Sequence, residues 1–264
     1  MDKRLEAVGR LLDVMDELRE KCPWDRKQTF DTLRMNTIEE TYELADAILE
    51  HDLNEIKKEL GDLLLHVVFY SKIGSEQKAF DLADVANGIC DKLIFRHPHV
   101  FGNVRADNAE QVKQNWEDIK LQEKARDHKK KRVLSGVPQS LPAMVKAYRI
   151  GEKAASAGFD WEKREDVWKK VKEEVSEVQT ELDRQDQERI ESEFGDLFFS
   201  LINASRLYGV DPEAALERCN KKFIERFNHI EDRAEEQGVA LRDMTLEQMD
   251  AFWNEAKDEE SNNK

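Results

Sequence analysis

At 264 residues the chain is long enough for one large domain or two of ordinary size. Charged residues make up 38% of it and the formal net charge is −15, which excludes the dominant basic surface that stable nucleic-acid binding needs. No apolar run approaches the roughly 20 residues that span a bilayer, Met1–Leu5 opens directly into an amphipathic pattern, and Cys22, Cys90 and Cys219 are an odd number in no metal-binding spacing; a cytoplasmic protein with reduced packing cysteines is expected.

In chain order, Leu5, Val8, Leu11, Leu12, Met15 and Leu18 recur at helical spacing, and similar stripes predict helices over 35–50, 53–73, 81–95 and 108–130. The last of these runs into Lys129-Lys130-Lys131-Arg132, after which Ser135-Gly136-Val137-Pro138 and Leu141-Pro142 supply turn formers and helix breakers. The second half repeats the order, with helices near 141–156, 164–184, 187–208, 212–237 and 245–258. No segment reads as a strand. The expected fold is all-α, with two tandem lobes, 1–134 and 135–264, each a bundle of four or five helices packed mostly antiparallel.

An acidic pattern is written twice. Glu39-Glu40-x-x-Glu43 is followed by Glu59-x-x-Asp62, and Glu173-Glu174-x-x-Glu177 by Glu193-x-x-Asp196, each acid recurring 134 positions later. Three- and four-residue spacings bring side chains to one face of a helix, so each set amounts to two helices turning carboxylates toward one another. Two unit charges about 5 Å apart at an effective dielectric of about 20 repel by roughly 3 kcal/mol, so something cationic is expected between them. Oxygen ligands without Cys or His select Mg²⁺ or Mn²⁺, which keeps positions open for water and substrate phosphates. A single E-E-x-x-E is ordinarily a solvated face. Here the acids lie among apolar residues that read as core: Ile38, Leu44, Ile48, Leu60, Leu63, Leu64 and Leu65 in the first lobe, and Val175, Val178, Phe194, Leu197, Phe198 and Phe199 in the second. Gly61 and Gly195 interrupt the acidic helices at a cost of about 1 kcal/mol each relative to alanine, which points either to a close approach of backbone or ligand or to tight helix packing.

The repeat extends to cations and aromatics. Lys92 and Arg96 correspond to Lys222 and Arg226, and Trp116-x-x-x-Lys120 matches Trp253-x-x-x-Lys257. A nucleoside triphosphate satisfies such a set, with metal bridging phosphate oxygens, Lys and Arg neutralising the remaining charge, and an aromatic ring stacking on the base. The six histidines, His51, His66, His97, His99, His128 and His229, are scattered and read as structural.

Together with Cys22-Pro23-Trp24-Asp25, Gly158-Phe159-Asp160-Trp161 and Arg96-His97-Pro98-His99-Val100-Phe101, the acidic motifs resemble those of the MazG family, two-lobed nucleoside triphosphate pyrophosphohydrolases of the all-α NTP pyrophosphatase superfamily. The resemblance covers nearly the whole chain. It implies Mg²⁺-dependent hydrolysis of (d)NTP to monophosphate and pyrophosphate, a homodimer, and a role in nucleotide housekeeping with a tie to the ppGpp-linked starvation response. Its metal ligands carry over to Glu174, Glu177, Glu193 and Asp196, and to Glu40, Glu43, Glu59 and Asp62. Glu39 and Glu173 become candidates to orient the attacking water alongside the ligand Glu174, and nucleotide contacts fall on Lys170, Arg189, Lys222, Arg226 and Trp253.

Release of pyrophosphate requires water to attack the α-phosphorus, and no covalent nucleophile is needed. No Ser/His/Asp arrangement and no Gly-rich phosphate loop is present. The second lobe is expected to be the main site, because it has Lys170 and Arg189 where the first has Asn36 and Glu55. One rival reading is a ferritin-like di-iron protein, disfavoured because the i+3 positions after Glu40 and Glu59 are acids, not histidines. The other is a non-enzymatic helical module that binds a regulatory protein and keeps vestigial acids.

Overall fold

A computed structural model describes residues 2–104, 108, 111, 112, 119 and 132–262. The chain divides into two compact units, Met1–Lys130 and Lys131–Lys264. Among the described residues every regular element is helical. The helix expected over 108–130 lies almost wholly outside those residues, as do Trp116, Lys120, His128 and the Lys129–Lys131 run.

The first unit is built from α1 (Lys3–Lys21), α2 (Phe30–Glu50), α3 (Leu53–Glu76), α4 (Leu82–Arg96) and the single turn α5 (Pro98–Phe101). α2 begins five residues before its apolar stripe predicts, because Thr29 and Thr32 form a reciprocal capping box, with Thr32 N donating to Thr29 Oγ1 at 3.2 Å and Thr29 N to Thr32 Oγ1 at 2.8 Å. α2 and α3 form an antiparallel hairpin and α1 packs on α3. Their shared core holds Met15, Leu33, Val68, Phe69 and Ile73, with Leu11, Leu12, Phe30, Leu65, Tyr70 and Leu82 packed around it.

The second unit has α6 (Ala143–Ser156), α7 (Val167–Arg184), α8 (Gln187–Leu207), α9 (Pro212–Glu236) and α10 (Leu246–Asn262). Here α7 and α8 form the hairpin, α6 packs on α8, and α9 pairs with α10. α7 starts three residues later than its stripe suggests, since Arg164–Asp166 forms a 3₁₀ turn first.

The hairpins of the two units match residue for residue. α2 ends at His51 (φ 58°) and α7 at Gln185 (φ 57°), each a non-glycine residue in the left-handed region. The next residue, Asp52 or Asp186, then caps the following helix by accepting from its backbone N–H groups. The same bend at the same register sets both acidic helices facing each other.

Two expectations about surroundings are corrected. Several apolar residues that read as core are exposed, among them Ile38, Ile48, Leu60 and Leu64 in the first unit and Val175, Phe194, Phe198 and Phe199 in the second. Tight helix packing also fails to explain Gly61 and Gly195, because a Cβ added at either would have no heavy atom within 4 Å.

Candidate functional site

In the second unit α7 presents Lys170, Glu174 and Glu177, and α8 presents Glu193, Asp196, Ser200, Asn203 and Arg206. The α8 residues are spaced three, four, three and three apart, which holds them on one helical face over about 20 Å. Carboxylate oxygens of Glu174, Glu177 and Glu193 lie within 4.8 Å of one another. Asp196 follows one turn after Glu193, and all four acids line a cavity of about 980 Å³. Lys170 Nζ reaches Glu174 at 2.5 Å and Glu173 at 2.9 Å, and these carboxylates push its ammonium above the usual lysine range. Burial, then Glu174, raises the Glu177 carboxyl, as expected for acids forced together without enough compensating charge.

The rest of the cavity wall is mostly apolar, with Asp160, Ser200, Asn203 and Arg206 as its further polar residues. Ile150 and Ala154 come from α6, Phe199 from α8, and Phe159 and Trp161 from the loop before α7. Arg206 ties that loop to α8, donating to Asp160 at 2.5 and 3.1 Å. Burial alone would raise the Asp160 carboxyl, but Arg206 holds it below the usual carboxylate range.

The first unit gathers its acids in the same register. Oxygens of Glu40, Glu59 and Asp62 lie within 4.8 Å of one another. Glu59 is buried, and its Oε2 has no hydrogen-bond partner. Burial and then Asp62, Glu43, Glu59 and Glu39 raise the Glu40 carboxyl; burial and then Glu59 and Glu39 raise that of Glu43. A buried carboxylate oxygen without a donor, in an all-oxygen cluster, fits a hard divalent cation. Both acidic clusters are able to hold a metal ion.

Lys58 is a cation that reading the sequence missed. It reaches Glu59 at 2.9 Å and Glu55 at 3.2 Å, so the first unit supplies from α3 the charge that Lys170 supplies from α7. The contrast drawn from Asn36 and Glu55 against Lys170 and Arg189 is therefore too strong.

The remaining expected contacts stand elsewhere. Arg189, one turn before Glu193, lies 3.4 Å from Asp186 and 3.9 Å from the buried Glu181 and does not line the cavity. Lys222, Arg226 and Trp253 are on α9 and α10, also outside its lining. There Arg226 donates twice to Glu260 at 2.9 Å and lies over the Trp253 ring, which packs on Phe223. Glu39 and Glu173 are exposed next to the ligand-type acids. Of the histidines, His66 is packed in the first unit, with Nδ1 2.9 Å from Thr37 Oγ1 and its pKa lowered by burial.

Sequence reasoning did not single out Gly151, Ser200, Asn203 or Arg206. The available signal was Asn203 and Arg206 at helical spacing in the segment Leu201–Leu207, whose remaining residues are apolar except Ser205.

The model of the MazG nucleotide pyrophosphohydrolase domain matches twice, at residues 28–101 and 162–231, and each match contains one acidic hairpin. Over 94% of both chains, the sequence is 43% identical to the nucleoside triphosphate pyrophosphohydrolase/pyrophosphatase MazG of Thermotoga maritima. It is 40% identical to the nucleoside triphosphate pyrophosphohydrolase of Escherichia coli K12, over 97% of this chain and 99% of that one. The uncharacterized protein YabN of Bacillus subtilis is 46% identical over 94% of this chain but 51% of its own length. With two copies of the domain, each carrying the doubled acidic hairpin, the chain belongs to the MazG nucleotide pyrophosphohydrolase family.

Proposed function

We propose that the chain is a nucleoside triphosphate pyrophosphohydrolase that converts (d)NTP to (d)NMP and pyrophosphate, with the second unit as its main site. The observation that carries this reading is the cavity of about 980 Å³, which joins four carboxylates and a lysine to an apolar wall. That volume lies at the upper end of small-molecule sites, and the division suits a ligand with a polyphosphate at one end and a planar ring at the other.

Glu174, Glu177, Glu193 and Asp196 would hold Mg²⁺, with Mn²⁺ as an alternative, and Glu40, Glu43, Glu59 and Asp62 would do the same in the first unit. When bound, the metal supplies charge neutralisation for the triphosphate and polarises the phosphorus under attack. Lys170, already held among the acids, turns its ammonium to phosphate oxygens. Glu173, bonded to Lys170, and its counterpart Glu39 orient the attacking water, together with the ligand carboxylate of Glu174. Arg189, Lys222, Arg226 and Trp253 remain nucleotide contacts on the strength of the family resemblance, and alanine substitution at each tests them through KM.

The homodimer rests on the uncovered stripes. Leu60, Leu64 and Val67 on α3 are exposed, and so are Phe194, Phe198 and Leu201 at the matching positions of α8. Contiguous exposed apolar surface of this kind marks an interface, and Phe198→Glu tests it through the sedimentation coefficient. Among the described residues no helix is long and apolar enough to cross a membrane. The physiological setting we assign is clearance of nucleotides in the cytoplasm, with a tie to ppGpp signalling.

The test is a panel of canonical and damaged (d)NTPs incubated with Mg²⁺, with pyrophosphate and orthophosphate separated. Equal amounts of monophosphate and pyrophosphate place the cleavage between the α- and β-phosphates, and oxygen from labelled water in the monophosphate places the attack at the α-phosphorus. Orthophosphate with nucleoside diphosphate moves the attack to the γ-phosphorus, and no turnover by a folded protein favours a non-enzymatic module that binds a regulatory partner.

A further inference from the structure

We infer that Asn203 is the residue that reads the nucleobase, and that it selects bases presenting a carbonyl where their counterparts carry an amino group. This rests on the nucleotide reading above and deepens it. Asn203 lines the cavity ten residues beyond Glu193 on the same face of α8, about 15 Å further along the helix. A triphosphate fastened at Glu193 and Asp196 therefore extends its base toward Asn203. Phe159, Trp161 and Ile150 line the cavity as well, giving that base apolar surfaces to lie against.

Three polar side chains besides Asn203 line the cavity beyond the acids and Lys170, namely Asp160, Ser200 and Arg206, and all are already used, Ser200 Oγ donating to the Leu197 carbonyl at 2.8 Å. Arg206 gives Nη1 and Nη2 to Asp160 and Nε to Asn203 Oδ1 at 2.9 Å. Its charge is matched by Asp160 within the wall, which leaves it a positioning residue for Asn203.

The contact with Arg206 also fixes which way the Asn203 amide faces. A guanidinium offers only donors, so the amide atom that meets it is the oxygen, and the NH₂ group with its two donors is directed away from Arg206. Backbone holds the pair from behind. A Cβ at the buried Gly151 of α6 would lie 3.1 Å from both Arg206 Nε and Asn203 Oδ1, so a side chain there would displace the amide.

Set against position 6 of a purine or position 4 of a pyrimidine, a group that can only donate pairs with a carbonyl oxygen and opposes an exocyclic amine. The preferred substrates are thus 6-oxopurine and 4-oxopyrimidine nucleoside triphosphates. The first unit lacks this reader. Its matching positions are Phe69, which is buried in the core, and Lys72, which pairs with Asp16 at 2.7 Å.

The experiment compares kcat/KM for two matched pairs, ITP against ATP and UTP against CTP, in the full-length protein with Mg²⁺. The wild-type chain is expected to favour the oxo member of each pair by about tenfold, the effect of one hydrogen bond made or lost. Asn203→Ala should bring both ratios to within about twofold of unity, mostly through KM. Gly151→Ala, which perturbs the amide without removing it, should lower the same ratios and keeps the idea testable if Asn203→Ala fails to fold. Turnover of all four substrates at equal efficiency by the wild-type chain overturns the inference but leaves the proposed reaction standing. So does an unchanged ratio in a folded Asn203→Ala or Gly151→Ala variant. Absence of turnover on any of the four sinks the reaction itself and the inference with it.

Discussion

The two units use one hairpin for opposite ends. In the first, positions 66, 69 and 70 hold His66, Phe69 and Tyr70; Phe69 is buried, and Tyr70 stacks on Phe30 with ring centroids 5.8 Å apart. In the second, the matching positions 200, 203 and 204 hold Ser200, Asn203 and Ala204, and Ser200 and Asn203 line the cavity. The buried apolar cluster is correspondingly smaller, with Val167, Val171 and Ala204 against the first unit's five residues. Side-chain volume that packs one unit is given up in the other to make room for a ligand, a trade of stability for function. What the units share is the acidic cluster and its bend, so the ability to gather a cation is common to both. A chamber large enough for a nucleoside is described in the second.

This contrast can be broken from either side. The largest effect is expected for Phe69→Ala, which removes a buried aromatic ring from the first unit and should destabilise it by about 3–5 kcal/mol in a denaturant melt. A loss below about 1 kcal/mol would mean that Phe69 does not anchor that core. Placing the first unit's residue in the second, Asn203→Phe, should fill the chamber and lower kcat/KM by about 100-fold, near 2.7 kcal/mol. Unimpaired turnover would move the nucleotide elsewhere. Lys170→Asn gives the second unit the residue of position 36 and should raise KM about tenfold, or 1.4 kcal/mol, the loss of one charge-assisted contact.

The smallest effect concerns protons. Glu40, Glu43 and Glu177 have carboxyls raised by burial and by neighbouring acids. A raised acid holds its proton more tightly folded than unfolded, so it opposes folding increasingly as pH climbs from its unfolded pKa to its folded one. A divalent cation relieves that repulsion and itself requires deprotonated ligands. The thermal midpoint with Mg²⁺ should exceed that with EDTA by a few degrees at neutral pH, and the gap should close as pH falls through the carboxylate range. A gap independent of pH would contradict metal binding at these acids.

Much of the site's chemical end was legible in the sequence, because carboxylates three and four apart on adjacent helices have few other arrangements. The helix order was legible for the same reason. The chamber was not. It depends on how α6 and the 159–161 loop approach α8, and on small residues such as Gly151 and Ala154 whose value appears only once neighbours are in place. Periodicity likewise reports that Leu60 and Phe198 lie on an apolar face but not whether this chain covers it, and those residues are exposed. Lys58 escaped notice because it reaches Glu59 from the adjacent position on the same helix, a pairing that the three- and four-residue spacing rule does not include.

The most direct test of the central claim compares two double variants for pyrophosphate release from a nucleoside triphosphate with Mg²⁺. Glu174→Ala/Glu177→Ala should lose at least about 100-fold in kcat, whereas Glu40→Ala/Glu43→Ala should keep most of it. Retained turnover in the first variant, with loss in the second, would assign the chemistry to the unit whose matching positions are filled by Phe69 and Tyr70.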